Sequence, residues 1–289
     1  MNIDIVCPLY NAEKDIESLH KSLLKQKNVE INKIRYVLTE GKDNTERILK
    51  DLNINYKKIK KEEFSHSLTR EKEAFESDAD IIVFITQDVK IEREDWLYFL
   101  TKDIINGQVE ACYSRQLCDN NTIEKYTRES NYPENSKVVS KDDIEKLGLK
   151  TFFFSDASSA IKRETFIKLN GYDQRKLPIS EDMYIAYKII MNGYKIKYCA
   201  DSEVVHSHKF TLKQIYDRYK LTGQFFKDNN YLNTYKVNKA GGNMAKYVLK
   251  RAMQDKNFGV LVKYLPNMGA RYIGMKVGKI NYGKQKRKN

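Results

Sequence analysis

The sequence predicts an α/β fold in which a mostly parallel central sheet is followed by a helical extension. Short runs of β-branched and aromatic residues alternate with segments that repeat apolar residues at helical spacing. This alternation is typical of parallel strands joined by right-handed helical crossovers. Residues 81–85 form the clearest buried strand, and from residue 211 onward the pattern is helical and rich in Tyr, Phe and Lys.

The front part of the chain contains three predicted strands. Residues 3–7 are apolar and stop at Pro8, and the segment over 13–26 is amphipathic because Ile16, Leu19, Leu23 and Leu24 fall on one helical face. A polar loop precedes the next helix. The predicted elements are, in order, a strand over 3–7, a helix over 13–26, a strand over 34–38, a helix over 45–52, a helix over 69–77 and the strand over 81–85.

The middle of the chain, 113–150, is polar and without clear period, so we predict a long loop near the functional site. Trp96 is the sole tryptophan and is expected in the core. The remaining predicted elements are a helix over 163–169 that stops at Gly171, a helix over 183–191, strand-like segments at 196–200 and 204–205, and helices from 211 onward.

Composition places the protein among folded globular chains. It has 289 residues, of which 41% are hydrophobic and 31% charged. No apolar stretch approaches the roughly 20 residues needed to span a bilayer, and the first residues lack the basic segment of a signal peptide. Four scattered cysteines fit neither a zinc site nor a disulfide framework, so reduced thiols in the cytoplasm are expected.

The net charge of +13 is concentrated at the back of the chain. Residues 240–289 contain 12 Lys and Arg against one Asp, and residues 209–239 contain 7 basic and 2 acidic residues. We therefore predict an α/β domain over 1–208 and a basic helical extension over 209–289. A basic region favours an anionic partner such as a nucleic acid or an acidic membrane surface.

Acidic and imidazole side chains follow the predicted strands at several points. Asp88 comes directly after the strand at 81–85, where α/β proteins bind ligands. Glu181 and Asp182 form a second acidic position, and His206 and His208 follow the last strand on one face. A metal or diphosphate beside Asp88 and a base at Asp182 would suit a metal-assisted transferase acting on a diphosphate-bearing donor.

Each of these residues also has a structural interpretation. Asp88 fits a solvated loop acid, and Asp182 fits the first turn of the helix predicted near residue 183. Lone histidines are more often structural than ligating. The position of Asp88 at a strand end favours the ligand-binding interpretation for that residue.

Several motifs together resemble inverting family 2 glycosyltransferases with the GT-A fold. They are VCPLYN at 6–11, TQD at 86–88, SED at 180–182 and HSH at 206–208. A closer resemblance is to the bacterial rhamnosyltransferase branch. It rests on FSHSLTREKEA at 64–74, RQ at 115–116, NYP at 131–133, FFFSDASSAIKRETF at 152–166, NGYKIKYCADSEVVHSH at 192–208 and RYIGMKVGK at 271–279.

The resemblance implies a role for each candidate residue. Asp182 would be the general base, and a divalent cation, Mg²⁺ or Mn²⁺, would be held by Asp88, His206 and His208. The nucleotide-sugar donor would contact residues of the motifs at 6–11, 86–88 and 180–182. The contact set spans a fourth motif as well, FSHSLTREKEA: the full set is Pro8, Tyr10, Asn11, Arg70, Gln87, Asp88 and Glu181, with His66 as a weaker candidate.

The chain departs from the wider family at two places. The first position of the common D-x-D is Thr86, as in the rhamnosyltransferase branch, which leaves Asp88 alone and bears on whether a metal is required. The loop TEGKDNT at 39–45 lacks the usual aspartate directly after its strand, which leaves recognition of the nucleotide base open.

The resemblance implies transfer of L-rhamnose from dTDP-rhamnose to a lipid-linked or cell-surface saccharide. A UDP-sugar-dependent enzyme of the same fold is the alternative, and a basic nucleic-acid-binding protein or an inactive scaffold are rivals from other classes. No RNA-binding motif accompanies the basic residues, so no nucleic-acid partner is expected. The basic extension is expected on the anionic inner face of the cell membrane, with packing on the catalytic domain or a homodimer contact as the alternatives.

Overall fold

The computed structural model describes residues 1–235 and 240–285 as one mixed α/β assembly around a central sheet. Eight strands form the sheet in the order β3-β2-β1-β4-β7-β5-β8-β6. The strands are β1 (Ile3–Leu9), β2 (Ile31–Thr39), β3 (Tyr56–Ile59), β4 (Ile81–Ile85), β5 (Ala111–Leu117), β6 (Lys137–Val139), β7 (Ser158–Lys162) and β8 (Ile196–Val205).

Six of these strands run in one direction, which confirms the mostly parallel sheet. Strand β7 is antiparallel to its neighbours β4 and β5, and β6 is antiparallel to β8. The six parallel strands therefore place their carboxyl ends at one edge of the sheet, and this edge carries the residues that follow β1, β4 and β8.

Eleven α-helices of the described residues surround the sheet and extend beyond it. They are α1 (Ile16–Leu24), α2 (Thr45–Asp51), α3 (His66–Glu76), α4 (Trp96–Ile105), α5 (Ile123–Asn131), α6 (Ile144–Leu147), α7 (Arg163–Lys168), α8 (Glu181–Met191), α9 (Leu212–Asp228), α10 (Ala240–Gln254) and α11 (Phe258–Gln285). None of them is long and apolar enough to cross a membrane.

The core consists of two large apolar clusters. Strand β1 contributes to both because its side chains alternate: Ile3 and Ile5 belong to one cluster and Val6 to the other. Trp96 is fully buried, as expected, and its indole N–H donates to the hydroxyls of Ser114 and Ser158 at 3.1 and 3.2 Å. Burial of these hydroxyls is possible because each has a partner.

The prediction of a long loop over 113–150 was wrong. This region contains the end of β5, the helices α5 and α6, and the short strand β6. Strand β5 carries Ser114 and Gln116 in buried positions, so it lacks the apolar run that identifies a strand. Helix α5 buries only Ile123 and Tyr126, which leaves too few apolar positions for a helical period to be recognised. Strands β3 and β7 were also not predicted.

The predicted extension, 209–289, forms helices α9, α10 and α11 over its described part; residues 236–239 and 286–289 lie outside the described residues. Phe225 of α9 packs into the second large cluster. Val248 and Tyr264, from α10 and α11, form a third cluster with Ile123 and Tyr126 of α5. The extension is thus attached to the α/β part at two places, and the boundary at residue 208 stays a prediction.

Candidate active site

An antiparallel backbone bridge brings the segment after β4 to the end of β8. The amide of Lys90 donates to the carbonyl of Val205 at 2.8 Å, and the amide of Val205 donates back at 2.9 Å. Asp88 and His206 lie directly beside this bridge. Two residues 118 positions apart in the sequence therefore become neighbours at the carboxyl edge of the sheet.

Asp88, His206 and His208 form a cluster that fits a cation. The Asp88 Oδ2 atom is 3.5 Å from His206 Nε2 and 3.6 Å from His208 Nδ1, and one ligand atom from each residue lies within 4.8 Å of the others. Two imidazoles and one carboxylate suit a first-row transition ion such as Mn²⁺ better than Mg²⁺, which prefers oxygen alone.

The protonation states of this cluster also favour ligand binding. Burial raises the pKa of the Asp88 carboxyl, but the hydrogen bond and positive charge of His206 outweigh this effect and lower its pKa overall. Burial and the neighbouring His206 lower the pKa of His208. An ionised carboxylate and a neutral imidazole are the forms that bind a metal.

Gln116, on β5, orients His206. The Nδ1 atom of His206 is 2.9 Å from Gln116 Oε1 and 3.3 Å from Arg128 NH2, so these two side chains hold the ring with Nε2 directed at Asp88. The Gln116 amide nitrogen donates to Ser155 Oγ at 2.8 Å, and Arg128 also donates to Gln116 Oε1. The RQ motif at 115–116 contributed to the family resemblance, but the sequence analysis assigned Gln116 no role.

Asp182 lies at the start of α8 among other acidic residues. Ser180, the residue before the helix, adopts a left-handed conformation with φ of 63°, and the Met183 amide donates to Asp182 Oδ1 at 2.7 Å. Burial raises the pKa of Asp182, and the negative charges of Glu181 and Asp156 raise it further. A carboxylate with a raised pKa is a stronger base and is suited to accept a proton near neutral pH.

Asp156 was not identified from the sequence. It is fully buried after Ser155, and its carboxylate accepts from Ser159 Oγ and Tyr172 Oη, both at 2.7 Å. No local pattern marked it, because its importance comes from its electrostatic effect on Asp182 and Arg70 rather than from its neighbours in the chain.

Arg70 is only 1% exposed and contacts protein groups. Its NH1 atom donates to Glu181 Oε1 at 3.2 Å and to the His66 carbonyl at 3.0 Å, while its Nε atom has no acceptor among the described residues. Arg70 thus holds Glu181 next to Asp182. The expected contact of Arg70 with a diphosphate stays a prediction.

His66 is the first residue of α3, and its side chain is exposed to solvent. The surrounding protein lowers the pKa of His66 to about 4, and the positive charges of Arg70 and Arg218 act in the same direction. His66 is therefore neutral at physiological pH and available as a hydrogen-bond partner.

The residues after β1 form the other wall of the site. Tyr10 is exposed, and its backbone is bound by the side chain of Gln87. Asn11 has φ of 49°, and its side-chain oxygen accepts from the Lys42 amide at 3.1 Å, which ties the end of β1 to the loop after β2. Pro8 is the penultimate residue of β1. The roles of Pro8, Tyr10 and Asn11 in nucleotide binding stay predictions.

The predicted site residues thus fall into three groups. The first group consists of Asp88, His206 and His208, and the second of Arg70, Glu181 and Asp182. The third lies at the end of β1, where the side chain of Gln87 binds the Tyr10 backbone. Ser155 and Asp156 connect the first two groups, since Gln116 holds Ser155 and the adjacent Asp156 influences Asp182.

Comparison with known sequences gives consistent matches over most of the chain. A sequence model of the family described as "Glycosyl transferase family 2" matches residues 4–169. The O-antigen chain rhamnosyltransferase RfbN of Salmonella typhimurium is 33% identical over 289 residues, covering 96% of this chain and 90% of that protein. The O-antigen chain rhamnosyltransferase WbaN of Salmonella anatum is 31% identical, covering 95% and 88%.

Solved structures match the fold. The mannosyltransferase PcManGT from Pyrobaculum calidifontis, in complex with GDP-Man and Mn²⁺, superposes with a TM-score of 0.61 over 96% of this chain and 86% of that one. The S. aureus TarS 1-349 structure with UDP gives a TM-score of 0.55 over 99% and 92%. Both are 14% identical in sequence, so this likeness concerns the fold alone.

Proposed function

This chain belongs to glycosyl transferase family 2 and is a glycosyltransferase, and from that premise we propose that it transfers L-rhamnose from dTDP-rhamnose to a hydroxyl of a growing polysaccharide. The observation that carries the choice of sugar is that both curated relatives, matched along nearly their whole length, are rhamnosyltransferases of O-antigen chains. The acceptor is proposed to be lipid-linked or part of a cell-surface polysaccharide.

Asp182 is the general base of the proposed reaction. Its carboxylate accepts the proton of the acceptor hydroxyl while that oxygen attacks the anomeric carbon from the face opposite the diphosphate. The bond between the anomeric carbon and the phosphate oxygen breaks, the nucleotide diphosphate leaves without protonation, and the configuration inverts. The raised pKa of Asp182, caused by burial and by Glu181 and Asp156, supports this role.

Asp88, His206 and His208 would hold a divalent cation, and their mixed nitrogen and oxygen ligands favour Mn²⁺. A bound cation would offset the charge that grows on the departing diphosphate. Gln116 fixes the His206 ring so that Nε2 stays directed at the cation position.

The donor nucleotide is proposed to bind along the ends of β1 and β4. Pro8, Tyr10 and Asn11 would line the base and ribose, and Gln87 would hold Tyr10 in place. Glu181, at the start of α8, would contact the donor, and its ion pair with the buried Arg70 would compensate its charge. Strand ends at the carboxyl edge are where α/β folds bind nucleotides.

We further propose that the enzyme works at the anionic inner face of the cell membrane, where a lipid-linked acceptor would lie. Helix α11 carries no Asp or Glu and exposes Phe258, Val262 and Leu265 at 72%, 76% and 77% along one face. Tyr272, Ile273 and Ile280 continue this exposed apolar stripe, and Lys263, Lys276 and Lys279 are exposed beside it. An apolar face flanked by lysines suits an acidic lipid surface. A homodimer through the same stripe is the alternative.

Thermal-shift titration with dTDP-rhamnose, UDP-glucose, UDP-galactose and UDP-GlcNAc, with and without Mn²⁺, tests the donor. A ligand at 100 times its Kd adds about 2.7 kcal/mol to the free energy of unfolding. We expect the largest shift with dTDP-rhamnose and Mn²⁺, followed by transfer to a saccharide acceptor. A larger shift and faster transfer with a UDP-sugar would replace the rhamnosyl assignment. Donor binding without transfer to any saccharide would point to the inactive scaffold.

A further inference from the structure

A cationic side chain from the C-terminal segment lies beside the metal cluster. The Arg218 guanidinium carbon of α9 sits 5.1 Å from the centre of the Phe210 ring, and the Phe210 ring packs against His208 with centroids 4.8 Å apart. His208 in turn lies 3.6 Å from Asp88. A continuous stack therefore connects Arg218 to the proposed cation ligands, and the cation–π contact orients its guanidinium.

The carboxylate next to Arg218 in the sequence is engaged by another cation. The adjacent Asp217 pairs with Lys213 at 2.6 Å, and no ion pair to Arg218 is formed within residues 1–235 and 240–285. Its side chain is exposed to solvent. An oriented guanidinium that is exposed and unpaired remains available to a ligand.

Arg218 is placed by two closely packed helices. A Cβ atom on Gly274 of α11 would lie 2.5 Å from the Tyr216 carbonyl oxygen, and one on Gly278 would lie 2.0 Å from the Lys220 carbonyl oxygen. These two contacts flank Arg218 on α9. Only glycine allows the helix backbones to approach so closely, so the position of Arg218 depends on the helix pair rather than on a loop.

The same guanidinium also acts electrostatically on the group around Arg70 and Glu181. Its positive charge contributes to the low pKa of His66 in the first turn of α3. His66 contacts Arg70, which binds Glu181 next to the proposed base. Arg218 therefore stacks beside the Asp88 cluster, and its charge also acts on a residue that contacts Arg70 of the other group.

We propose that Arg218 binds the diphosphate of the nucleotide-sugar donor, so that the segment after residue 208 completes the donor site. This inference rests on the proposed function. Guanidinium groups match phosphate oxygens through paired N–H donors, and a diphosphate held at the Asp88 cluster would lie next to the stack of His208, Phe210 and Arg218.

Isothermal titration with dTDP and with dTMP, both in Mn²⁺, measures this contact. We expect Arg218→Ala to weaken dTDP binding by about 10-fold or more, as is usual for a charge-assisted hydrogen bond, and to change dTMP binding less. Arg218→Lys should recover part of the loss. Phe210→Ala should reproduce part of it, because it removes the surface that orients the guanidinium.

Lys227→Ala is the matched control. Lys227 is an exposed cation on the same helix, nine residues or about 13 Å from Arg218. Its substitution changes the net charge by the same amount but leaves the stack of His208, Phe210 and Arg218 intact. Equal dTDP affinities of Arg218→Ala and Lys227→Ala, with unchanged melting temperatures, would overturn the inference.

A lipid diphosphate is the other source of the same chemistry. Vesicles that contain a polyprenyl diphosphate, without nucleotide, provide the second arm. Loss of vesicle binding in Arg218→Ala with intact dTDP affinity would overturn the assignment to the donor. If the wild-type protein binds no nucleotide diphosphate, the proposed function fails. If Asp88→Ala weakens dTDP binding and Arg218→Ala does not, only the present inference is contradicted.

Discussion

The side chain of Gln87 binds both polar groups of the Tyr10 backbone. The Tyr10 amide donates to Gln87 Oε1 at 2.7 Å, and Gln87 Nε2 donates to the Tyr10 carbonyl at 3.0 Å. These two hydrogen bonds extend the contact between β1 and β4 beyond Val6 and Phe84, the last residues that pair in the two strands. Tyr10 is thus held at the edge of the sheet by the residue that precedes Asp88.

We expect Gln87→Ala to weaken binding of dTDP by up to about 10-fold, because two hydrogen bonds of roughly 0.5–1.5 kcal/mol each no longer hold Tyr10. Gln87→Glu should retain part of the affinity, since its carboxylate still accepts from the Tyr10 amide. Calorimetric Kd values give the comparison. Gln108→Ala, an exposed glutamine at the other edge of the sheet, should behave as wild type. A Gln87→Ala protein with wild-type affinity would exclude this role for Tyr10.

Asp182→Asn should leave the Kd for dTDP nearly unchanged and reduce kcat by roughly 10²–10⁴-fold, the usual contribution of a general base. The reason is that the amide retains the shape of the side chain but cannot accept the proton. Rates of sugar transfer at saturating donor measure the effect, and exposed Asp142→Asn is the control. Near-normal turnover of Asp182→Asn would remove this residue from the mechanism.

The pH profile of kcat/KM should report the raised pKa of Asp182. Because the base must be ionised, the rate falls as the pH drops through this pKa, and the acidic limb should lie above the ordinary range of an aspartate. Asp156→Asn removes a neighbouring negative charge, which lowers the pKa of Asp182 and moves the limb to lower pH. A limb that stays in place or moves upward in Asp156→Asn would contradict the electrostatic coupling.

Metal binding is tested by combining substitution with chelation. Asp88→Ala should weaken dTDP binding in Mn²⁺ by at least about 10-fold, since it removes the charged ligand and leaves two imidazoles. Wild-type protein in EDTA should bind dTDP as weakly as the variant does, and EDTA should have little further effect on Asp88→Ala. If EDTA changes neither activity nor affinity of the wild type, the cation proposal fails.

The apolar stripe of α11 should determine membrane binding. Flotation with vesicles rich in acidic lipid should recover the wild type at low salt, and recovery should fall as salt rises, because each Lys near the surface contributes about 1 kcal/mol. A Val262→Glu, Leu265→Glu double variant should lose binding. The matched control is Leu24→Glu, which changes an exposed leucine of α1. If vesicles recover the double variant and Leu24→Glu equally, α11 is not the membrane-binding surface. If only the double variant changes its oligomeric state, the homodimer is favoured instead.

Local patterns were sufficient for much of the fold and for part of the site. The apolar run of β4 identified a buried strand, and Asp88 followed it at the end where parallel strands bind ligands. Regions where the strand carries buried polar residues were missed. Ser114 and Gln116 made β5 resemble a loop, although each has a hydrogen-bond partner that only the folded sheet supplies.

The sequence by itself determined the α/β class and the mostly parallel sheet, since these depend on side-chain periodicity over a few neighbouring residues. The family followed from the identity of residues in short motifs, which resemble those of known glycosyltransferases. Only the tertiary structure decided that Asp88 meets His206, that Gln116 orients that ring, and that Arg70 supports Glu181 from a buried position. It also decided that Arg218 stacks beside the metal cluster. These relationships join residues roughly 90 to 120 positions apart in most cases, and they arise from strand register and helix packing, which no local period encodes.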